Sequence, residues 1–257
     1  KAKVSALHFY LQGREEQGKR NPEARRKSVE LFEKAIEADP DAPFGYAGMA
    51  TAIYFDLFLK WVYPDVPRDE LLRRGVEYAE RALEADPTFY YSHIARGDLH
   101  VSAGEHEDAV IRYKKAAELN PSSSEALAVS SDSLIYLNRA DEAVQALERA
   151  MDINPIAPGW YYNNLSRAYW AAGRCSEGLK TMKQRSTLRA WDYRALIVNL
   201  ACLGKEEEAR KAGEKLLEMD PDFTVSGHGD RSRDTINNPE YLKRWLDALR
   251  VAGLPES

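Results

Sequence analysis

The sequence contains little cysteine and no excess of positive charge. Cys175 and Cys202 are the only cysteines in 257 residues, whereas disulfide-stabilised secreted domains need a denser framework. We therefore expect two isolated free thiols in a reducing compartment, which predicts a cytoplasmic protein. The 36 basic and 41 acidic side chains give a net charge of −5. This balance argues against a nucleic-acid or anionic-membrane binder, because both need a cationic surplus.

A long hydrophobic run free of charges is also missing. Residues 46–63 come nearest, but Asp56 and Lys60 interrupt the run and Pro64 ends it. A membrane-spanning helix needs about 20 consecutive apolar residues. We therefore predict a buried helix of a soluble protein here, and no membrane insertion.

Catalytic signatures are absent from the sequence: it has no phosphate-binding loop, nucleophile elbow, zinc-protease helix or dinucleotide fingerprint. The segment "SGHGD" (226–230) holds Ser, His and Asp, but a triad needs residues that converge from separate elements. His93 and His100 are seven residues apart, whereas metal ligands on a helix are better placed three or four apart. We predict structural or surface histidines, no catalytic residue, no metal, no cofactor and no enzyme activity.

One phrase of sequence occurs twice, as "AVIRYKKAAELNP" (109–121) and "AVQALERAMDINP" (143–155). Each copy has a small anchor residue, a bulky apolar residue four later, a small or apolar residue seven later and Pro twelve later. Positions four and seven apart share one helix face, and Pro ends the helix. Six copies, one of them without the Pro, have anchors spaced 47, 34, 34, 35 and 31 residues apart. The anchors are Ser28, Gly75, Ala109, Ala143, Gly178 and Ala209.

A second helix fits between each Pro and the next anchor, with a turn such as Ala103-Gly104 before the anchor helix. A helix–turn–helix unit of about 34 residues resembles the tetratricopeptide repeat (TPR) family. The small residues Gly13, Gly48 and Gly97 match the family's eighth repeat position. The resemblance implies an all-α fold, a right-handed superhelix (α-solenoid) of about six repeats. We place the repeats at residues 6–40, 41–87, 88–121, 122–155, 156–189 and 190–221.

Four repeats depart from the pattern. The first has about three extra residues in "REEQGKRNPEARR" (14–26), and the second is about thirteen residues too long. The fourth has Ser131 where glycine is typical, and the fifth lacks its Pro. We expect both helices of the second repeat to be lengthened around a loop at "YPDVP" (63–67). Its additional apolar residues either pack against the first repeat or form a docking surface.

The pattern changes after Pro221. Residues 222–237 are polar, contain glycine and lack periodicity, which predicts a loop. Asn238 and Pro239 then mark a helix start, and an apolar stripe follows. We predict that residues 238–257 form a capping helix and tail on the end of the repeat array at 1–221.

The tail resembles, more narrowly, the C-terminal TPR region of bacterial adenylate/guanylate cyclase-type proteins, in which a catalytic domain precedes the repeats. The segment "NNPEYLKRWLDALRVAGLPE" carries most of this resemblance. The sequence begins "KAKVSALHFY", without an initiating Met, and we expect a region of a longer chain. The resemblance implies a regulatory region with its catalytic domain upstream.

The TPR resemblance also implies a concave groove lined by the first helix of each repeat. Carried onto this sequence, the groove-facing positions are Tyr91, Asp98, Asp132, Tyr136, Trp160, Asn163, Arg167, Trp191 and Arg194. Half of the groove is then acidic, and the other half is basic and aromatic. We predict a non-catalytic module that binds a peptide or helix of another protein, or of a neighbouring domain. A self-association module is the remaining alternative, and the structural alternative for these side chains is that they bridge adjacent helices.

Overall fold

The computed structural model describes residues 2–257, which divide into two compact units. The first unit ends at Pro121, and the second comprises Ser122–Ser257. The described residues are helices joined by turns and short loops, so the predicted all-α class is confirmed. No helix within residues 2–257 has both the length and the apolar character needed to cross a bilayer.

The first unit contains three antiparallel helix pairs. Its helices are α1 (Ala2–Gly18), α2 (Pro22–Ala38), α3 (Pro43–Leu59), α4 (Arg68–Ala85), α5 (Tyr90–Ser102) and α6 (His106–Leu119). Small residues let paired helices approach closely: a Cβ added at Gly97 would come within 2.5 Å of the Tyr113 ring. Tyr113 and the anchor Ala109 are both buried, as the repeat pattern predicts.

The second pair is longer than the third, with 17 and 18 residues in α3 and α4 against 13 and 14 in α5 and α6. Asp56 holds the connection between α3 and α4. Its carboxylate accepts backbone hydrogen bonds from Trp61, Val62 and Tyr63 at 2.7–2.9 Å. Of the additional apolar residues, Leu57 and Tyr63 pack in a core cluster with α4 and α5. Leu57 and Tyr63 therefore extend the core that α3 forms with α4 and α5.

The second unit contains nine further helices. They are α7 (Ser124–Ala128), α8 (Ser131–Tyr136), α9 (Ala140–Ile153), α10 (Gly159–Ala171), α11 (Cys175–Lys183), α12 (Ala190–Cys202), α13 (Glu206–Met219), α14 (Val225–Arg233) and α15 (Pro239–Val251). The first helix of the fourth repeat is divided into α7 and α8. Ser130 and Ser131 hydroxyls donate back to the carbonyls of Leu127 and Ala128, and such local hydrogen bonds bend helices.

The cysteines correct one prediction, because Cys175 and Cys202 form a disulfide instead of remaining free thiols. Their Cα atoms are 6.2 Å apart, within the usual range for a disulfide. Cys175 begins α11 and Cys202 ends α12. These consecutive helices are antiparallel, so the start of one lies beside the end of the next. Disulfides are more common in oxidising compartments, so the cytoplasmic location stays a prediction without its cysteine argument.

The segment 222–237 also differs from its predicted loop, because it contains helix α14. Thr224 caps the helix by accepting from Gly227 N at 3.2 Å. Gly229 allows a close approach to α15, since an added Cβ would lie 2.9 Å from Leu246 Cδ1. Glycine here serves helix packing, whereas composition alone suggested an irregular segment.

Helix α15 packs against α12, α13 and α14. It also reaches the fourth and fifth repeats, which are not its neighbours in sequence. Tyr241 has ring contacts with Tyr136 of α8 at 5.3 Å and with Trp170 of α10 at 5.5 Å between centroids. The second unit thus departs from a stack in which each helix pair contacts only its neighbours.

Candidate functional site

The predicted groove residues of the first unit serve internal packing. Tyr91 is buried, with the Arg14 guanidinium 4.0 Å from its ring centroid and the Tyr10 ring 5.9 Å away. Asp98 is also buried and accepts a hydrogen bond from the Tyr113 hydroxyl at 2.8 Å. These contacts hold α1, α5 and α6 together.

In the second unit, Arg167 of α10 bridges three helices. It donates to Asp132 Oδ1 at 2.7 Å and to the Tyr136 hydroxyl at 2.9 Å, both on α8. It also donates to the Tyr241 hydroxyl of α15 at 3.4 Å. Burial opposes its charge, but the Asp132 carboxylate acts together with Tyr136 and Tyr241 to outweigh burial, and the pKa of Arg167 lies well above its ordinary value. Arg167 is therefore a structural cation with a matched anion.

Arg194 of α12 lacks a paired carboxylate of this kind among residues 2–257. Its Nη1 lies 3.2 Å from His228 Nδ1, and no Asp or Glu of residues 2–257 forms an ion pair with it. Burial, with repulsion from Arg167, lowers the pKa of Arg194 to about 10, and Asp220 offsets part of this shift. The guanidinium is still protonated at neutral pH.

His228 of α14 contacts two hydrogen-bond donors. Trp245 Nε1 donates to His228 Nε2 at 3.1 Å, and Arg194 faces Nδ1. Burial, and then the charges of Arg194, Arg231 and Arg167, lower the pKa of His228 to about 3. A neutral imidazole offers one acceptor nitrogen and one N–H. Only one of the two contacts is therefore a hydrogen bond at any time.

These side chains surround a cavity of about 150 Å³. Arg194, His228 and Ser232 are partly exposed, so the cavity opens to solvent. Its lining residues are Tyr136, Asn163, Arg167, Trp191, Arg194, His228, Ser232, Ile236, Tyr241 and Trp245. Five predicted groove residues thus line one cavity. The other half of the lining comes from α14, α15 and their connection, which the repeat pattern does not cover.

Asn163 and the two groove tryptophans have different roles. Asn163 Nδ2 lies 3.2 Å from both Trp191 O and Asp192 Oδ1, so it positions the start of α12. Trp191 is partly exposed, with the Arg189 guanidinium 5.1 Å from its ring centroid. Trp160 is also partly exposed, but it packs edge-on against Tyr161 and does not line the cavity.

Ser and His side chains near the cavity do not form a nucleophile–base pair. The Ser226 hydroxyl donates to the backbone oxygen of Glu256, and the Ser232 hydroxyl donates to the backbone oxygen of His228 at 2.8 Å. The lowered pKa of His228 also makes it a weak base at neutral pH.

One group in the first unit has metal-ligand character. His100, Glu105 and Asp108 place potential ligand atoms within 4.8 Å of one another. His100 Nδ1 is hydrogen-bonded to Glu105 Oε2 at 2.6 Å, which already accounts for the position of both groups. His93 Nε2 lies 2.9 Å from Pro87 O. These contacts fit the structural role predicted for the histidines.

Comparison with known proteins supports a TPR protein. Residues 124–156 match the family model described as "Tetratricopeptide repeat". The TPR repeat-containing protein YpiA of Bacillus subtilis (strain 168) is 29% identical over 134 residues. The match covers 49% of this chain and only 30% of YpiA. The narrower resemblance to cyclase-type proteins stays a prediction.

Several solved structures have a similar fold. PilW, a type IV pilus biogenesis factor, superposes with a TM-score of 0.63 at 17% identity, covering 85% of this chain and 94% of PilW. PilF of Pseudomonas aeruginosa gives 0.59 at 15% identity, covering 86% and 95%. YrrB, a TPR protein with an unusual peptide-binding site, gives 0.50 at 18% identity, covering 79% and 99%. At these identities the likeness concerns the fold alone.

Proposed function

We propose that this chain is a non-catalytic protein-interaction module whose second unit binds a peptide or helix of another polypeptide. The observation that carries the proposal is the cavity on the face formed by α8, α10 and α12, where five predicted groove residues meet. The TPR fold is typical of such modules. The partner is either a separate protein or a neighbouring domain.

The chemistry of this face supports an interface. Trp and Arg are enriched among the residues that dominate binding energy, and the partly exposed Trp191 lies at the cavity under Arg189. The local charge is positive around Arg194 and Arg231, although the whole chain carries −5. A ligand with acidic groups is therefore the electrostatically favoured class.

The proposal concerns the second unit because the first unit uses its groove residues internally. Asp98 accepts from Tyr113, and Tyr91 is covered by Arg14. Arg167 is similarly occupied by Asp132. Trp191 and Arg194 are the predicted groove residues best suited to contact a ligand.

Selection from a displayed peptide library on the immobilised chain tests the proposal. Titration of a selected peptide by fluorescence anisotropy then gives its affinity. Removing an interface anchor costs about 2 kcal/mol or more, so we expect Trp191→Ala to weaken binding at least about tenfold. Ile111→Ala removes an apolar side chain that is 63% exposed in the first unit, and this control should bind like the wild type.

Two results would count against the proposal. One is a selection that enriches no peptide sequence, and the other is equal affinity of selected peptides for the wild type and Trp191→Ala. Sedimentation at several concentrations separately tests self-association, which predicts a mass that rises with concentration.

A further inference from the structure

Arg194 is a cation whose charge is not balanced locally. Arg167, on the neighbouring helix α10, shows the usual solution, since Asp132 lies 2.7 Å from its Nη1. Arg194 instead faces the neutral imidazole of His228. Burying part of a charge without a counter-ion is costly, so an anion bound beside Arg194 would be strongly favoured.

His228 also has a nitrogen whose hydrogen bond is not satisfied. When Nε2 accepts from Trp245, Nδ1 carries the proton and points toward the Arg194 donor. When Nδ1 accepts from Arg194, the protonated Nε2 faces the Trp245 N–H instead. Either tautomer places two donors opposite each other. An anionic oxygen beside Nδ1 resolves the first arrangement, because it accepts from both the imidazole and the guanidinium.

The cavity has room for a small group and an approach from solvent. Its volume is about 150 Å³, and Arg194, His228 and Trp191 are partly exposed at its edge. Arg231 of α14 is exposed and contributes positive potential at His228. The surroundings therefore attract an anion and leave Arg194 accessible to it.

We infer that this cavity binds a carboxylate of the bound polypeptide, with Arg194 and the His228 N–H as its donors. The inference rests on the proposed function, because the polypeptide supplies the carboxylate. His228, Ser232 and Trp245 belong to α14 and α15, so the site depends on helices that follow the repeats.

Charge balance favours a carboxylate over a phosphoryl group. Of the two guanidinium groups that line the cavity, Arg167 is paired with Asp132 and Arg194 lacks a counter-ion, and a carboxylate supplies one negative charge. A phosphoryl group carries about −1.5 to −2 at neutral pH, which would exceed the single unmatched charge of the lining. The planar guanidinium fork also fits the two oxygens of a carboxylate.

Acetate is the probe for the experiment, with the full chain in chloride of equal ionic strength as the reference. Sodium acetate should raise the thermal midpoint of the wild type, because a ligand that binds only the native state stabilises it. In Arg194→Gln the two salts should give the same midpoint. Isothermal titration should show acetate affinity at least about tenfold weaker in Arg194→Gln.

Arg194→Lys keeps the charge and guards against a folding defect in the first variant. It should retain weaker acetate binding, because an ammonium lacks the fork geometry. Equal acetate effects in the wild type and Arg194→Gln overturn the inference. Phosphate binding without acetate binding overturns it as well.

Peptides from the library selection separate this inference from the proposed function. If selected peptides bind Arg194→Gln as tightly as the wild type, the inference fails and the interaction module stands. If acetate stabilises the wild type and not Arg194→Gln while no peptide is enriched, the anion site is supported and the proposed function fails. Comparing each peptide with its C-terminal amide and its Asp/Glu→Asn/Gln form identifies which carboxylate enters the cavity.

Discussion

Asn238 Nδ2 donates a hydrogen bond to the backbone oxygen of Tyr136 at 2.8 Å, although the two residues are 102 positions apart in sequence. The same amide group donates to Asn138 Oδ1 at 3.0 Å. Its Oδ1 accepts from Tyr241 N, which caps α15. One buried side chain thus starts the last helix and fastens it to the turn after α8.

We expect Asn238→Ala to lower the free energy of unfolding by about 2–3 kcal/mol, from the lost cap and two lost hydrogen bonds. Asn21→Ala is a matched control, because Asn21 is exposed and caps α2 through Ala24 N. A cap alone is worth about 1 kcal/mol. Urea unfolding measures both variants, and equal losses would show that the contacts to α8 contribute nothing.

Gly97→Ala tests the close approach of α5 and α6. The added methyl would lie 2.5 Å from Tyr113 Cε1, and overpacking of this kind costs about 1–3 kcal/mol. Gly18→Ala meets nothing within 4 Å and should be neutral or stabilising by up to about 1 kcal/mol. Thermal unfolding of both variants measures their stabilities relative to the wild type. A neutral Gly97→Ala would mean that the two helices separate readily.

The disulfide should stabilise the second unit. It closes a loop of 27 residues in sequence separation, and the chain-entropy relation gives about 3–4 kcal/mol for a loop of this length. Cys202 lies in an exposed position, so a thiol reductant can reach the bond. We expect dithiothreitol to lower the thermal midpoint of the wild type and leave the Cys175→Ser/Cys202→Ser double variant unchanged. A reductant effect of equal size on both proteins would contradict this.

Stability should fall in mild acid because of His228. Burial and the cations Arg194, Arg231 and Arg167 lower its pKa from 6.5 to about 3. As the pH drops below about 6.5, the unfolded state binds a proton that the folded state does not, and the free energy of unfolding decreases until about pH 3.

The measurement compares the wild type with His228→Gln by urea unfolding at about pH 7 and about pH 5. The stability of the wild type relative to the variant should decrease at the lower pH, by no more than about 1.4 kcal/mol per pH unit. Partial exposure of the ring reduces the change below this limit. A difference that is independent of pH would contradict the prediction. NMR titration of the His228 ring provides an independent value for its pKa.

The sequence predicted the helix pairs well because their determinants are local. Ala109, Tyr113 and Pro121 recur at fixed offsets, and the first two are buried as the pattern requires. The groove-facing positions of the repeat pattern also predicted that Asn163, Arg167 and Arg194 share one face. In the structure these three residues line one cavity. Whether these residues bind a partner stays a proposal.

The remaining features depend on contacts between distant segments. His228 lies in a polar, glycine-containing segment without periodicity, and Gly229 lets its helix pack closely under Leu246 of α15. The Cys175–Cys202 bond requires knowledge of how α11 and α12 align. Asp132 and Arg167 each occupy a groove-facing position of the repeat pattern. Only the distance between Arg167 Nη1 and Asp132 Oδ1 shows that the two charges neutralise each other.

The attachment of α15 to α8 also affects how the second unit is made. In an array whose repeats contact only their neighbours, an early repeat is complete as soon as the next one is synthesised. Here the turn at Asn138 is hydrogen-bonded to Asn238. During translation this hydrogen bond forms only after about one hundred further residues have left the ribosome. A stop codon before residue 238 would consequently disturb the start of the unit as well as its end.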